Sequence, residues 1–291
     1  LLPFISALTI SFVPWHIALS RAMIWYIELI FLYILFFTCF LFAQKEYLKT
    51  QARLMTLTAS AIFLSLTLYV YYASIIYLPL ILIAVAFIYR DFLRKNLKSS
   101  LVALSILVSL SLPAFLHYTS QESKTRLNVI SVLTPDITLP TSIKELEQDQ
   151  QLKLPFSQFI HNRRLVYASA LADNYFDYFN LDYLFVSSEN IRYFYVNNVG
   201  LFYLIEFPFF LYGFYTLVRR REKSDLLILA LLVIGPIPAM ITLGSPFPHR
   251  ALLTIVAIQI ISALGLTTSI SKLLNRQYRL ITLILLSLMT I

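Results

Sequence analysis

Cysteine occurs once in this chain of 291 residues, as Cys39 in the middle of an apolar run. An intrachain disulfide is therefore excluded, and the thiol is expected to be buried and inert. Charge is scarce as well: 13% of the residues are Asp, Glu, Lys or Arg, against about 25% in a soluble domain. A water-bounded core cannot absorb the 59% of residues that are hydrophobic, so the surplus is expected to face lipid. The five glycines form no phosphate-binding loop, and there is no zinc spacing, heptad array or internal repeat. No two of the histidines, His16, His117, His161 and His249, share an element at ligand spacing, so a metal site built from them alone is not expected. Nothing reads as a soluble catalytic domain.

What is present is an alternation of apolar runs and short basic loops. The runs are residues 1–13, 25–43, 54–71, 74–89, 101–117, 200–218, 226–243, 251–266 and 280–291. At 1.5 Å per residue a full run crosses most of a bilayer core of about 30 Å. Four loops carry fourteen of the 23 Lys and Arg residues: Lys45–Lys49–Arg53, Arg90–Arg94–Lys95–Lys98, Arg219–Arg220–Arg221–Lys223 and Lys272–Arg276–Arg279. The short loops between them hold only Arg21 and Arg250. Strict alternation puts all four basic loops on one face, which the positive-inside rule identifies as the cytoplasm. The net charge of +8 thus reads as retention and headgroup contact, not as nucleic-acid binding. The fold class is an all-α integral membrane protein, a polytopic transmembrane helix bundle of about seven complete and two partial spans with one large extracytoplasmic loop. Three units follow: a first helix group at 1–118, the loop at 119–198 and a second helix group at 199–291. The chain opens at Leu1 and closes at Ile291 inside apolar runs, so it is expected to be an internal piece of a longer protein, with any signal peptide upstream.

The 119–198 segment holds seven Lys/Arg and nine acids, and loops of this length cross a membrane largely regardless of charge. Turns around a short helix are expected at 141–151, and an amphipathic helix at the membrane surface over 157–179. Aromatics crowd from Tyr175 to Tyr203, where an interfacial belt accounts for most of them.

Polar groups in or beside the spans are where chemistry is sought, since each is costly in lipid unless paired. Pro14-Trp15-His16-Ile17-Ala18-Leu19-Ser20-Arg21 closes the first run, and Glu28 follows Arg21 by seven residues, two turns on and hence one helix face. A turn with a belt tryptophan and a snorkelling arginine explains the same string. Glu206, beside Pro208, lies six residues into its run, about 9 Å deep; a cavity wall and a paired structural acid are both open readings. Pro246-Phe247-Pro248-His249-Arg250 ends a hairpin whose first helix is kinked by Gly235-Pro236-Ile237-Pro238. Arginine there suits bidentate phosphate binding.

These strings together resemble the bacterial GT-C glycosyltransferases, polytopic family-39-like enzymes related to protein O-mannosyltransferases and to the aminoarabinose transferases of lipid A. The likeness rests on Pro14-Trp15-His16 to Leu19-Ser20-Arg21, on Asn174-Tyr175-Phe176-Asp177-Tyr178-Phe179 with Tyr183-Leu184-Phe185, on Gly200-Leu201-Phe202-Tyr203-Leu204-Ile205-Glu206-Phe207-Pro208 and, in part, on Pro248-His249-Arg250. The resemblance implies transfer of a sugar from a polyprenyl-phosphate lipid to an acceptor outside the cytoplasm. A carboxylate in the first outer loop would act as general base, and cations would steady the departing lipid phosphate. By the same resemblance Arg21 and Arg250 hold phosphate, with His16 and His249 nearby and Glu28 and Glu206 as cavity acids. Two departures stand out. The loop with the catalytic acids would precede Leu1, so the chain by itself is expected to be inactive. Where the family often has an acid four residues after the loop arginine, this chain has Trp25, and Glu28 is the next acid.

No cofactor is assigned, a divalent metal ion being open only for the full-length parent. The expected partners are a polyprenyl-phosphate sugar lipid and membrane lipids, in a cell membrane; sugar and acceptor are not specified. A lipid-linked oligosaccharide polymerase, a transporter or flippase, and a structural membrane subunit are the rival readings. The transporter predicts matched broken helices.

Overall fold

The computed structural model describes residues 2–22, 24–120, 129–152, 162–187 and 199–274. The apolar runs are helical because in lipid only a helix satisfies its own backbone. In chain order the helices are α1 (Leu2–Phe12), α2 (Pro14–Ala22), α3 (Ile24–Ala43), α4 (Thr50–Val70), α5 (Ser74–Ile88), α6 (Arg90–Lys95), α7 (Leu97–Tyr118), α8 (Pro135–Gln151), α9 (Arg163–Asp177), α10 (Phe207–Arg220), α11 (Lys223–Ile234), α12 (Ile237–Met240) and α13 (Leu252–Leu274). Among the described residues there is no strand, only one antiparallel bridge between Ser131 and Thr242. Five segments are long and apolar enough to cross a membrane: Trp25–Ala43, Thr50–Val70, Leu97–Tyr118, Lys223–Met240 and Pro248–Lys272. That fits a membrane location. α5 and α10 are apolar but have only 15 and 14 residues.

α13 is the central post. Its apolar window is 78% buried within the protein, against 22% for α7, so α7 leaves most of its apolar surface uncovered by protein while α13 is enclosed by it. The first helices climb α13 from its C-terminal end. Ile5 of α1 packs with Leu266 and Ile270, Trp15 of α2 reaches Gln259, and Tyr26 at the head of α3 meets His249. α3 then returns along the post and pairs with α4, which pairs with α7. Tyr69 on α4 donates to the Leu110 carbonyl of α7 at 2.7 Å. α10 crosses α13 where two glycines let the backbones touch. A Cβ on Gly213 would stand 2.0 Å from the Ile261 carbonyl oxygen, and one on Gly265 would stand 1.9 Å from that of Phe209. Small residues at such crossings are what permit close helix packing in membranes.

Among the described residues, one end of the bundle gathers three of the basic loops, at 45–53, 90–98 and 219–223; Arg276 and Arg279 of the fourth lie outside the described residues. Arg53 donates to the Ala43 and Lys45 carbonyls and to the Asn96 side chain, at 3.1, 3.3 and 3.1 Å, capping α3 and tying it to the start of α7. Lys223 stands 3.7 Å from Asp91, and Arg220 clasps the fully buried Asp225 with two nitrogens.

Several expectations are corrected. The Pro14–Arg21 string is helix, not a turn, because proline is tolerated in a helix's first turn. The Trp15 amide, displaced by the kink, donates to the Leu201 carbonyl at 3.1 Å. Arg21 lies in α2 and Glu28 in α3, and Met23 between the two helices is outside the described residues. The helix expected over 200–218 starts only at Phe207. Its first residues instead pair with an earlier segment, Phe202 donating to the Leu184 carbonyl at 2.8 Å. Gly200 makes that approach feasible, since a Cβ there would lie 2.6 Å from the Phe185 backbone. Pro208 falls in the first turn of α10, where its missing N–H costs nothing. Glu206 thus heads a helix, not a kink. The 226–243 run breaks at Gly235-Pro236 into α11 and α12. The helix expected at 141–151 starts earlier, with Pro135 in its first turn. That expected over 157–179 is described from Arg163 to Asp177, its Asn162 side chain accepting from the Arg164 amide at 3.0 Å. Tyr178, Tyr183, Phe185 and Phe202 are buried in the core, so a belt does not explain them. Cys39 is only partly buried. Residues 280–291, His161, Tyr193, Phe194 and Tyr195 lie outside the described residues.

Candidate functional site

The break at Gly235-Pro236 leaves carbonyls of α11 without helical partners, because proline has no N–H to offer and a helix end orphans its last carbonyls. Away from water each must be satisfied by a neighbour, and the neighbours come from three elements. Thr254 of α13 donates to Leu232 at 3.1 Å, entering a space that only Gly235 leaves open. Tyr175 of α9 donates to Val233 at 3.0 Å. The Tyr77 hydroxyl of α5 lies 2.7 Å from both the Gly235 and Arg250 carbonyl oxygens. Beyond α12, Asn174 donates to the Met240 and Thr242 carbonyls at 2.9 and 3.2 Å. Non-helical backbone at this end of the bundle is thus held open and fully occupied.

On this frame sits the mouth of the site. The Nη1 atom of Arg250 donates to the Thr242 hydroxyl and the Leu243 carbonyl, both at 2.7 Å. Its guanidinium lies 4.5 Å over the Phe247 ring. Both partners are neutral, and among the described residues Arg250 has no carboxylate in ion-pair range, so its positive charge is not cancelled locally. His249 stacks between Tyr26 and Phe247, with ring centroids 5.0 and 5.5 Å away. Tyr178 accepts from the Phe247 amide at 3.1 Å. Burial raises the Tyr178 phenol above its usual pKa, while the Phe247 amide and Arg250 pull it down.

Close to the mouth in sequence lies an apolar groove. A cavity of about 260 Å³ runs between α3, α11 and α13, from Ile30 and Leu252 to Leu41 and Ser224. Tyr33, Thr38 and Ser224 are its only polar residues. Ile30 is one turn beyond Tyr26, and Leu252 follows Arg250 by two positions. Ile34 and Leu41, which line it, are 50% and 37% exposed, so the groove has an open flank.

The six sequence candidates separate into four places. Arg250 and His249 share the mouth. His16 and Arg21 ride on α2, Arg21 exposed and His16 edge-on to Trp15 at 5.5 Å. Burial lowers the His16 pKa, so at neutral pH it offers an uncharged imidazole. Glu28 is exposed on α3, with no ion-pair partner among the described residues. Glu206 is buried apart from the mouth, bonded to Tyr203 and Gln259. Sequence reasoning missed Tyr26, Asn174 and Tyr178. The two prolines of the break gave the only signal, since each carbonyl they free demands a donor from elsewhere. Among the described residues no group of three or more His, Cys, Asp and Glu gathers to hold a metal ion.

No family model matches the chain, and neither curated proteins nor solved structures give a match.

Proposed function

We propose that this chain is the body of a membrane glycosyltransferase of GT-C type, which takes a sugar carried on a polyprenyl phosphate and passes it to an acceptor on the extracytoplasmic face. The basic loops face the cytoplasm in this reading, the 119–198 segment lies outside, and about seven complete spans are counted, with α5 and α10 included. One observation carries it: the lining of an apolar groove starts within one turn of Tyr26 and two residues of Arg250, both members of a cationic, aromatic cluster. An amphiphile with an anionic head and a hydrocarbon tail matches both parts. Arg250 holds the phosphate and stabilises its charge as the sugar leaves. Tyr26, Phe247 and His249 offer ring faces to the sugar, and the groove takes the tail at a gain of about 0.8 kcal/mol per buried CH₂.

Binding tests this without requiring turnover. The purified chain in detergent should bind a polyprenyl phosphate at least tenfold more tightly than the uncharged polyprenol, and Arg250→Ala should abolish that preference while helix content is kept. Equal affinity for the two lipids removes the proposal.

Transport is the second reading, and one observation favours it. The Gly235-Pro236 break has a counterpart in the Pro14 kink between α1 and α2, and broken helices are the mark of many transporters. Movement of labelled lipid phosphate across proteoliposomes, with no transfer product from the parent protein, would select this reading.

A further inference from the structure

Glu206 is 3% exposed, and among the described residues no cation stands in ion-pair range. Both of its oxygens accept: Oε1 from the Tyr203 amide at 3.4 Å and Oε2 from Nε2 of Gln259 at 3.2 Å. Gln259 is 2% exposed, and its Oε1 accepts from the indole Nε1 of Trp15 at 3.3 Å. Trp15 is itself wholly buried. Gln259 lies eleven residues along from Pro248, about 16 Å into the bundle at 1.5 Å per residue, where an unpaired polar group is costly.

The chain has a fixed polarity. A donor stands at each end, the Tyr203 amide and the Trp15 indole, and both point inward. The two side chains between them must therefore supply three acceptors and a single donor. A carboxylate followed by an amide does so, and the Gln259 amide fits in one orientation only, since turning it would set its NH₂ against the indole N–H. An amide at both positions brings two donors face to face somewhere along the chain, and a carboxylate at both brings two acceptors together.

We infer that Glu206 is a positioning residue whose double acceptance, relayed through Gln259 to Trp15, sets where α2 with His16 and Arg21 stands against α13. Its consequence for lipid binding rests on the function proposed above; its geometric content does not. What the chain requires is the order of acceptors, not a carboxylate at position 206. Moving the charge one residue along, with Glu206→Gln and Gln259→Glu together, satisfies every group again: the amide at 206 accepts from Tyr203 and donates to the carboxylate at 259, which accepts from Trp15.

The test uses the full chain in detergent with Trp25→Phe, which leaves Trp15 as the only tryptophan. Emission and acrylamide quenching of Trp15 are read alongside polyprenyl phosphate affinity. Each single exchange should shift the emission to the red and raise quenching at least twofold, and the double exchange should return both to the starting values. Unchanged emission in E206Q overturns the inference, as does a double exchange no better than the worse single. Should E206Q not yield folded protein at ambient temperature, thermal midpoints at lower temperature decide. With Trp15→Phe in place the Gln259 amide is free to turn, so E206Q should then lower the midpoint by less than half as much as it does beside Trp15; equal losses overturn the inference. If the starting chain binds no polyprenyl phosphate, the proposed function fails while the Trp15 readings still decide this point.

Discussion

Arginine stands at both ends of the bundle and is treated there in opposite ways. At the basic end the cations are spent on structure. Arg220 grips the buried Asp225, Lys223 faces Asp91, and Arg53 caps α3. At the mouth, Arg250 is held by neutral oxygen atoms through one nitrogen and rests on an aromatic face. A guanidinium clasped by a carboxylate has little left for an anion, whereas one positioned by a hydroxyl and a carbonyl keeps its full charge. Arginine count alone therefore says nothing about function here; the partner of each arginine does.

The comparison can be broken most forcefully at Arg220. Its removal leaves the Asp225 carboxylate buried with only the Glu222 amide, at 3.0 Å, and loss of one partner from a buried pair costs about 3 kcal/mol or more. Arg220 is 42% exposed, which holds the expected loss for Arg220→Ala to about 3 kcal/mol. Denaturant unfolding in detergent measures it, and polyprenyl phosphate affinity should not change. If affinity falls as it does in Arg250→Ala, the two ends are not functionally distinct. A smaller effect is expected at the frame of the mouth. Thr254→Val removes the donor to Leu232 at nearly constant volume and should cost about 1–2 kcal/mol, since a buried carbonyl is left unpaired. The loss should appear in the same unfolding experiment and be accompanied by weakened lipid binding, because the break carries Thr242 and Leu243. The smallest effect is predicted for Lys223→Ala. Its partner Asp91 is 70% exposed at 3.7 Å, and a surface pair contributes at most about 0.5 kcal/mol. A loss above 1 kcal/mol would mean that Lys223 does more than face Asp91.

Much of the helix pattern was legible because lipid imposes a single solution on a long apolar run. Residues 25–43 and 101–117 are recovered within a few positions as α3 and α7. The misreadings cluster where the apolar run continues but the backbone does not. Gly200–Tyr203 reads as the start of a span, yet the Leu201 and Phe202 amides are taken by the Tyr183 and Leu184 carbonyls, a pairing with no local trace. Pro208 reads as a kink, though what proline does depends on whether a helix has already begun. At the site, Arg250, His249 and the Gly235–Pro238 break were found from residue type and position. Tyr26, Asn174 and Tyr178 were not, because the groups they meet, the His249 ring, the Met240 and Thr242 carbonyls and the Phe247 amide, are 66 or more positions away along the chain.

By itself the sequence determined that helices form, roughly where they run, and that the basic loops are a set apart, because the energetic cost of exposed backbone and buried charge acts locally along the chain. Only the tertiary structure decided which arginine is neutralised, that α13 is the enclosed post, and that an apolar groove lies between α3, α11 and α13. Those outcomes depend on which side chains from distant helices converge, and hydrogen bonds and ion pairs are short-ranged in space without regard to separation in sequence.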